Sequence, residues 1–156
     1  MNTPDISDKF PNTPFLLNYR PYGNNDFFCG ELVTVECPDD NSLVRKVLSD
    51  DGVDKILFVN GFNSKAVAFI GDNLAQLAID NNWRGIIVNG CVRDVEILKQ
   101  MNLGIYALGT CPKKSHKNNE GEINKPFITE GIEIHSGNWA YVDENGILIA
   151  KTKLLI

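Results

Sequence analysis

The sequence is poor in the residues that build zinc centres and disulfide scaffolds. It has two histidines, His116 and His135, in unrelated segments, and four cysteines, Cys29, Cys37, Cys91 and Cys111, with no CxxC pair among them. That excludes the common zinc motifs and a disulfide-stapled small domain, and the four cysteines read as reduced, mostly buried thiols. Long hydrophobic runs are also missing. No stretch approaches the roughly 20 apolar residues of a membrane span, and the first thirty residues contain no signal-peptide core. A soluble, cytoplasmic protein is expected. Basic charge is scarce: 15 Lys+Arg against 20 Asp+Glu leave a formal charge of −5 at pH 7. Bulk electrostatics therefore recruit neither nucleic acid nor an anionic membrane. Lys113, Lys114, Lys117 and Lys125 have no interleaved aromatics and read as a solvated surface, not as an RNA patch. Heptads, internal repeats and low-complexity tracts are absent as well.

What remains is 156 residues, 43% of them hydrophobic, the profile of one globular domain. Residues 1–26, rich in Pro, Asn and Asp, read as a loosely structured N-terminal arm, leaving 27–156 as the domain. Phe27 to Cys37 is aromatic and β-branched and predicts a strand; Leu43, Val44, Val47 and Leu48 predict a helix over 42–49. Lys55–Asn60 and Ala66–Ile70 predict two buried strands. Leu74, Leu77 and Ala78 predict a helix to about Asn81, with Asp72 as its N-cap. Trp83–Asn89 reads as a strand, Gly90-Cys91-Val92 as a turn, Val95–Met101 as a short helix and Leu103–Leu108 as another strand. Residues 111–125 form a polar loop, and the remainder alternates as sheet, with Glu144-Asn145-Gly146 as a hairpin turn. Mixed α/β is the implied class.

Two joins could carry chemistry. A glycine turn that delivers a helix N-terminus leaves the amides of Asp72, Asn73 and Leu74 without intrahelical acceptors, a ready site for a small carboxylate. A plain turn and cap explains the same residues. Arg93-Asp94, at a predicted strand end, pairs a guanidinium that clamps carboxylates with a carboxylate suited to a hard divalent cation. A local ion pair on a solvated loop is the plainer account. His116, in a basic loop, and His135, alternating with Ile134, lack a second histidine at ligand spacing and are not taken as ligands.

Five runs together decide more than either join. Gly71-Asp72-Asn73-Leu74-Ala75, Val88-Asn89-Gly90-Cys91-Val92-Arg93-Asp94-Val95, Leu103-Gly104-Ile105-Tyr106-Ala107, Glu120-Gly121-Glu122 and Ser136 to Asp143 resemble the regulator of ribonuclease activity A family, from about Phe27 onward. The resemblance implies a swivelling three-layer β/β/α fold with mixed sheets, assembled as a homotrimer with sites near subunit interfaces. It spans two branches: class II aldolases that cleave 4-hydroxy-4-methyl-2-oxoglutarate to pyruvate, with oxaloacetate decarboxylation as a side reaction, and inhibitors of ribonuclease E. The enzyme branch is marked by Asp, 20 intervening residues, then Arg-Asp, matched here by Asp72 and Arg93-Asp94. By resemblance, the Gly71–Leu74 backbone and Arg93 bind the pyruvyl group, Asp94 anchors Mg²⁺ or Mn²⁺ largely through water, and Asp72 organises a water for proton transfer. Such a cation would stabilise the enolate left by C–C cleavage. One departure concerns the loop: Asn118-Asn119-Glu120 stands where relatives often carry glycines, and Asn tolerates left-handed backbone.

Overall fold

The computed structural model describes residues 1–156. In chain order the elements are α1 (Thr3–Lys9), β1 (Phe15–Leu16), β2 (Arg20–Pro21), β3 (Phe28–Glu36), α2 (Ser42–Leu48), β4 (Lys55–Ile70), α3 (Asp72–Asp80) and β5 (Gly85–Val92). There follow α4 (Val95–Leu98), β6 (Gly104–Thr110), β7 (Glu122–Ile123), β8 (Phe127–Thr129), β9 (Ile132–Ile134), β10 (Trp139–Asp143) and β11 (Gly146–Ala150). Strands β3, β4, β5 and β6 pair in parallel, each joined to the next by one helix. An antiparallel wing continues from β3 through β10 and β11 to β1, β2 closes the other edge on β6, and β8–β9 form a separate hairpin.

Strand alternation sorts the apolar residues into layers. Leu57, Val59, Ile86, Val88 and Ile105 face Val44, Val47, Leu74, Ala78 and Leu98 of the helices in one core. Their neighbours Ile56, Phe58, Ile87 and Tyr106 face the other way, onto Ala140, Val142, Ile147 and Ile149 of the wing. The wing's outer face is covered in turn: Tyr141, Leu148 and Ala150 pack with Ile6 of α1. The result is a mixed α/β fold of helix layer, parallel sheet and second β layer. Phe58, fully buried, contacts Tyr19 and Phe127 edge-on at ring separations of 5.8 and 5.0 Å. Truncating such a side chain costs about 3–5 kcal/mol.

Several local expectations are corrected. Residues 1–26 are packed, not loose: Ile6 and Leu16 are fully buried. Asp143 accepts hydrogen bonds from the Thr3 amide at 2.8 Å and hydroxyl at 2.6 Å. Those partners lie at the far end of the chain, so local composition could not reveal them. The two strands expected at 55–60 and 66–70 are one, β4, which makes an excursion. Between the pairs Asn60–Asn89 and Ile70–Val92, β4 advances ten residues while β5 advances three, with Phe62 and Asn63 left-handed at φ 57° and 58°. This excursion supplies partners for Gly90, Cys91 and Val92, which are therefore strand and not turn. Helix α4 is a single turn, and β7, inside the expected 111–125 loop, adds to β3. No helix is long and apolar enough to cross a membrane.

Candidate functional site

Register brings the predicted residues together. Ile70 pairs with Val92, so Gly71 and Arg93 leave the carboxyl ends of neighbouring parallel strands side by side, and the Arg93 amide donates to the Ile70 carbonyl at 2.9 Å. The 20 residues between Asp72 and Arg93 are one crossover, α3 and its return through β5. Its length fixes the motif's spacing. Carboxyl ends of parallel strands are where open α/β sheets place ligands.

The N-cap of α3 is Gly71, and Asp72 is the first helical residue, not the cap as expected. A carboxylate from elsewhere takes the capping role. Asp94, left-handed at φ 61°, turns its side chain back so that Oδ2 accepts from the Asp72 amide at 3.0 Å. A left-handed non-glycine residue at such a point stores backbone strain of the kind concentrated at functional sites. Gly71 is needed for this approach: a Cβ there would sit 2.6 Å from Asp94 Oδ2 and 3.5 Å from Arg93 Cγ. Arg93 is half-buried and uses Nη1 on the Pro112 carbonyl at 3.3 Å.

Gly71, Asp72, Arg93 and Asp94 thus form one cluster. Asn73 is exposed beside it. Leu74 sends its side chain into the helix-side core and offers the cluster only its backbone. With the Asp72 amide taken by Asp94, the amides of Asn73 and Leu74 are the free donors of the helix N-terminus. No group of three or more His, Cys, Asp or Glu side chains is placed to hold a metal. Asp94 has one oxygen outside the cap, a donor set that fits Mg²⁺ or Mn²⁺ retaining most of its water and does not fit a three- or four-ligand zinc site.

The following loop is tied down by residues that sequence reading passed over. Asp40 is buried and accepts from the amides of Ser42 at 2.8 Å, Asn118 at 2.5 Å and Glu120 at 3.4 Å. Burial pushes its carboxyl up, but hydrogen bonds from Ser42, Asn118 and Glu120 outweigh that and hold it below the usual carboxylate range. Asn41 donates to the Phe69 carbonyl at 3.0 Å and accepts from Lys117 Nζ at 2.9 Å. Asn119 is left-handed at φ 55°, so asparagine here takes a backbone conformation that glycine adopts readily. The available signal was Asp39-Asp40-Asn41 after a strand; it reads equally as a turn.

A family model described as Aldolase/RraA matches residues 3–149. The chain belongs to the RraA-like family. A relative in Shewanella oneidensis, provisionally named a 4-hydroxy-4-methyl-2-oxoglutarate aldolase, is 44% identical over 97% of this chain and 93% of its own. Among RraA-like folds, the RNA-processing inhibitor RraA from Thermus thermophilis is 37% identical, with a TM-score of 0.95 over 99% of this chain and 94% of its own. A protein from Geobacillus kaustophilus described as an S-adenosylmethionine: 2-dimethylmenaquinone methyltransferase is 34% identical, with a TM-score of 0.96 over 99% and 98%. These similar chains carry three different functional descriptions, so function must be argued from the site.

Proposed function

We propose that this chain is a divalent-metal-dependent lyase that cleaves 4-hydroxy-4-methyl-2-oxoglutarate to pyruvate and decarboxylates oxaloacetate as a side reaction. The observation that carries it is the convergence of Gly71, Asp72, Arg93 and Asp94 at the N-terminus of α3. The aldolase naming of relatives such as the Shewanella protein supports it. In this reading Arg93 and the amides of Asn73 and Leu74 bind the carboxylate of the 2-keto acid, combining a planar clamp with a helix N-terminus. Asp94 would hold Mg²⁺ or Mn²⁺ through its uncapped oxygen. When bound, the cation supplies Lewis-acid stabilisation of the negative charge that C–C cleavage places on the keto acid. Asp72 holds the water that takes the substrate hydroxyl proton and returns a proton to the pyruvate methyl carbon. Decarboxylation needs only the second transfer, so both reactions share Arg93 and Asp94.

The test is pyruvate release from each substrate with Mg²⁺ or with EDTA, corrected for metal alone, in wild type, Asp94→Ala and Arg93→Ala. Metal-dependent turnover lost in both folded variants is expected. Full activity in either would overturn the assignment. A homotrimer, implied by the family resemblance, is the proposed assembly, checked by sedimentation against the 17.3 kDa chain.

The similarity to the Thermus inhibitor favours one second reading, a protein-binding inhibitor of ribonuclease E. It expects a complex with that enzyme at micromolar concentration. Absence of a complex removes it.

A further inference from the structure

Asn41 is the N-cap of α2, yet its side chain makes no capping hydrogen bond. Asparagine at that position ordinarily accepts from the second or third helical amide. Here Asp40 takes the Ser42 amide, at 2.8 Å, and the buried Asn41 side chain turns to distant segments. Its Nδ2 donates to the Phe69 carbonyl at 3.0 Å, and its Oδ1 accepts from Lys117 Nζ at 2.9 Å. A carbonyl only accepts and an ammonium only donates, so these partners allow one orientation of the amide. A capping residue that gives up its local bond for contacts 28 and 76 residues away serves the tertiary structure.

What it grips is the irregular end of β4. Beyond Asn60 the register of β4 against β5 shifts three times before Ile70 meets Val92, so no continuous ladder fixes residues 68–70. The surroundings of Arg93 hang from those residues. The Ile70 carbonyl accepts from the Arg93 amide at 2.9 Å. The Ala68 amide donates to the Lys113 carbonyl at 2.7 Å, and the Cys111 amide donates to the Val92 carbonyl at 3.1 Å. Pro112 is thereby bracketed between a bond to β4 and a bond to β5, and its own carbonyl accepts from Arg93 Nη1 at 3.3 Å. Phe69, which Asn41 holds, lies between Ala68 and Ile70; Lys117, at the other end of the same amide, belongs to the loop that carries Pro112.

We propose that Asn41 is a positioning residue for Arg93. It ties the end of β4 to the 111–117 loop, and so holds both the backbone beside Arg93 and the carbonyl that orients its guanidinium. The inference rests on the lyase reading, in which Arg93 clamps the carboxylate next to the ketone. That carboxylate stays charged throughout C–C cleavage, so a misaimed clamp weakens the binding of substrate and transition state alike. Such a loss raises KM and leaves kcat in place.

The experiment compares the full-length wild type with Asn41→Ser and Lys117→Met. Serine caps a helix about as well as asparagine, so a local role predicts no change, but it is too short to join Phe69 to Lys117. Two readouts are taken: the Arg93 Nε–H resonance, and kcat and KM for pyruvate release from oxaloacetate with Mg²⁺. Asn41→Ser should move the resonance toward that of an unrestrained arginine and raise KM about tenfold, with kcat kept within about threefold. Lys117→Met, at an exposed position, should move the resonance the same way and raise KM less. An unmoved Arg93 resonance in Asn41→Ser overturns the proposal, as does a fall in kcat at constant KM. If Asn41→Ser does not fold, the resonance in Lys117→Met decides by the same criterion. Wild type without metal-dependent turnover would remove the lyase reading instead, and the resonance would then decide the positioning role alone.

Discussion

Strands β4 and β5 meet at two polar places built from opposite materials. At the Ile70–Val92 end the groups are charged, half-exposed and set around a helix N-terminus: Asp72, Arg93 and Asp94. At the Asn60–Asn89 pair they are neutral amides, both buried on the β8–β9 side, with the charged Glu36, Lys125 and Glu133 around them. Charge is held at the rim, where water and helix amides solvate it, and amides lie deeper, where an unpaired ion would be far more expensive. A glycine follows each amide, and Val59-Asn60 faces Val88-Asn89 in register, but the excursion of β4 then pairs Gly90 with Ser64 instead of Gly61.

The sharpest way to break this contrast is at the rim. Asp94→Ala should lower pyruvate release by a hundredfold or more, on the order of other lost electrostatic stabilisers. It should cost the fold only about 1 kcal/mol as a lost helix cap, read by urea denaturation. Gly71→Ala should cost activity by about a hundredfold, because its Cβ would displace Asp94 from the helix. If Gly71→Ala retains full turnover, the close packing of rim groups is not what the chemistry needs.

The next effect is on stability. Asp40→Ala leaves the amides of Ser42, Asn118 and Glu120 without their acceptor and should cost about 3 kcal/mol in urea unfolding. Acid should reproduce part of that loss. Asp40 is held low as described, and at Asp143 burial is likewise outweighed by hydrogen bonds from Thr3 and Asn145. Both folded pKa values lie below the unfolded ones. Their contribution is thus complete above the unfolded carboxylate range and is lost as pH falls below about 4 and through the folded values. Unfolding free energy measured from about pH 7 to about pH 3 should show that acid limb, and it should be shallower in Asp40→Asn. The smallest effect is expected deep in the sheet: Asn89→Leu should change stability by less than about 1 kcal/mol, since it removes an orphaned oxygen along with one hydrogen bond. A larger loss would mean that Asn89 is structural.

How much of this was legible in the sequence differs by region. The β3–β6 core and α2–α3 were readable because apolar runs and helical spacing are local signals, and the crossover length fixed the Asp72 to Arg93 interval. The excursion in β4 was not, because Phe62 and Asn63 take left-handed backbone only with β5 alongside. The packing of residues 1–26 escaped notice because its anchors, Asp143 and the β11 strand, are more than a hundred residues away. Likewise Asp40 reads as a turn residue until the 118–120 amides arrive to be bound.

By itself the sequence determined the α/β class, the run of parallel strands with their helices, and the Gly71-Asp72 and Arg93-Asp94 pairs, because periodicity and spacing are properties of neighbouring residues. Tertiary structure alone decided that Asp94, not Asp72, caps α3, that the N-terminal segment is part of the body, and that Glu36, Asn60 and Asn89 share one row. Those outcomes depend on strand register, and register is set by packing between segments far apart in the chain.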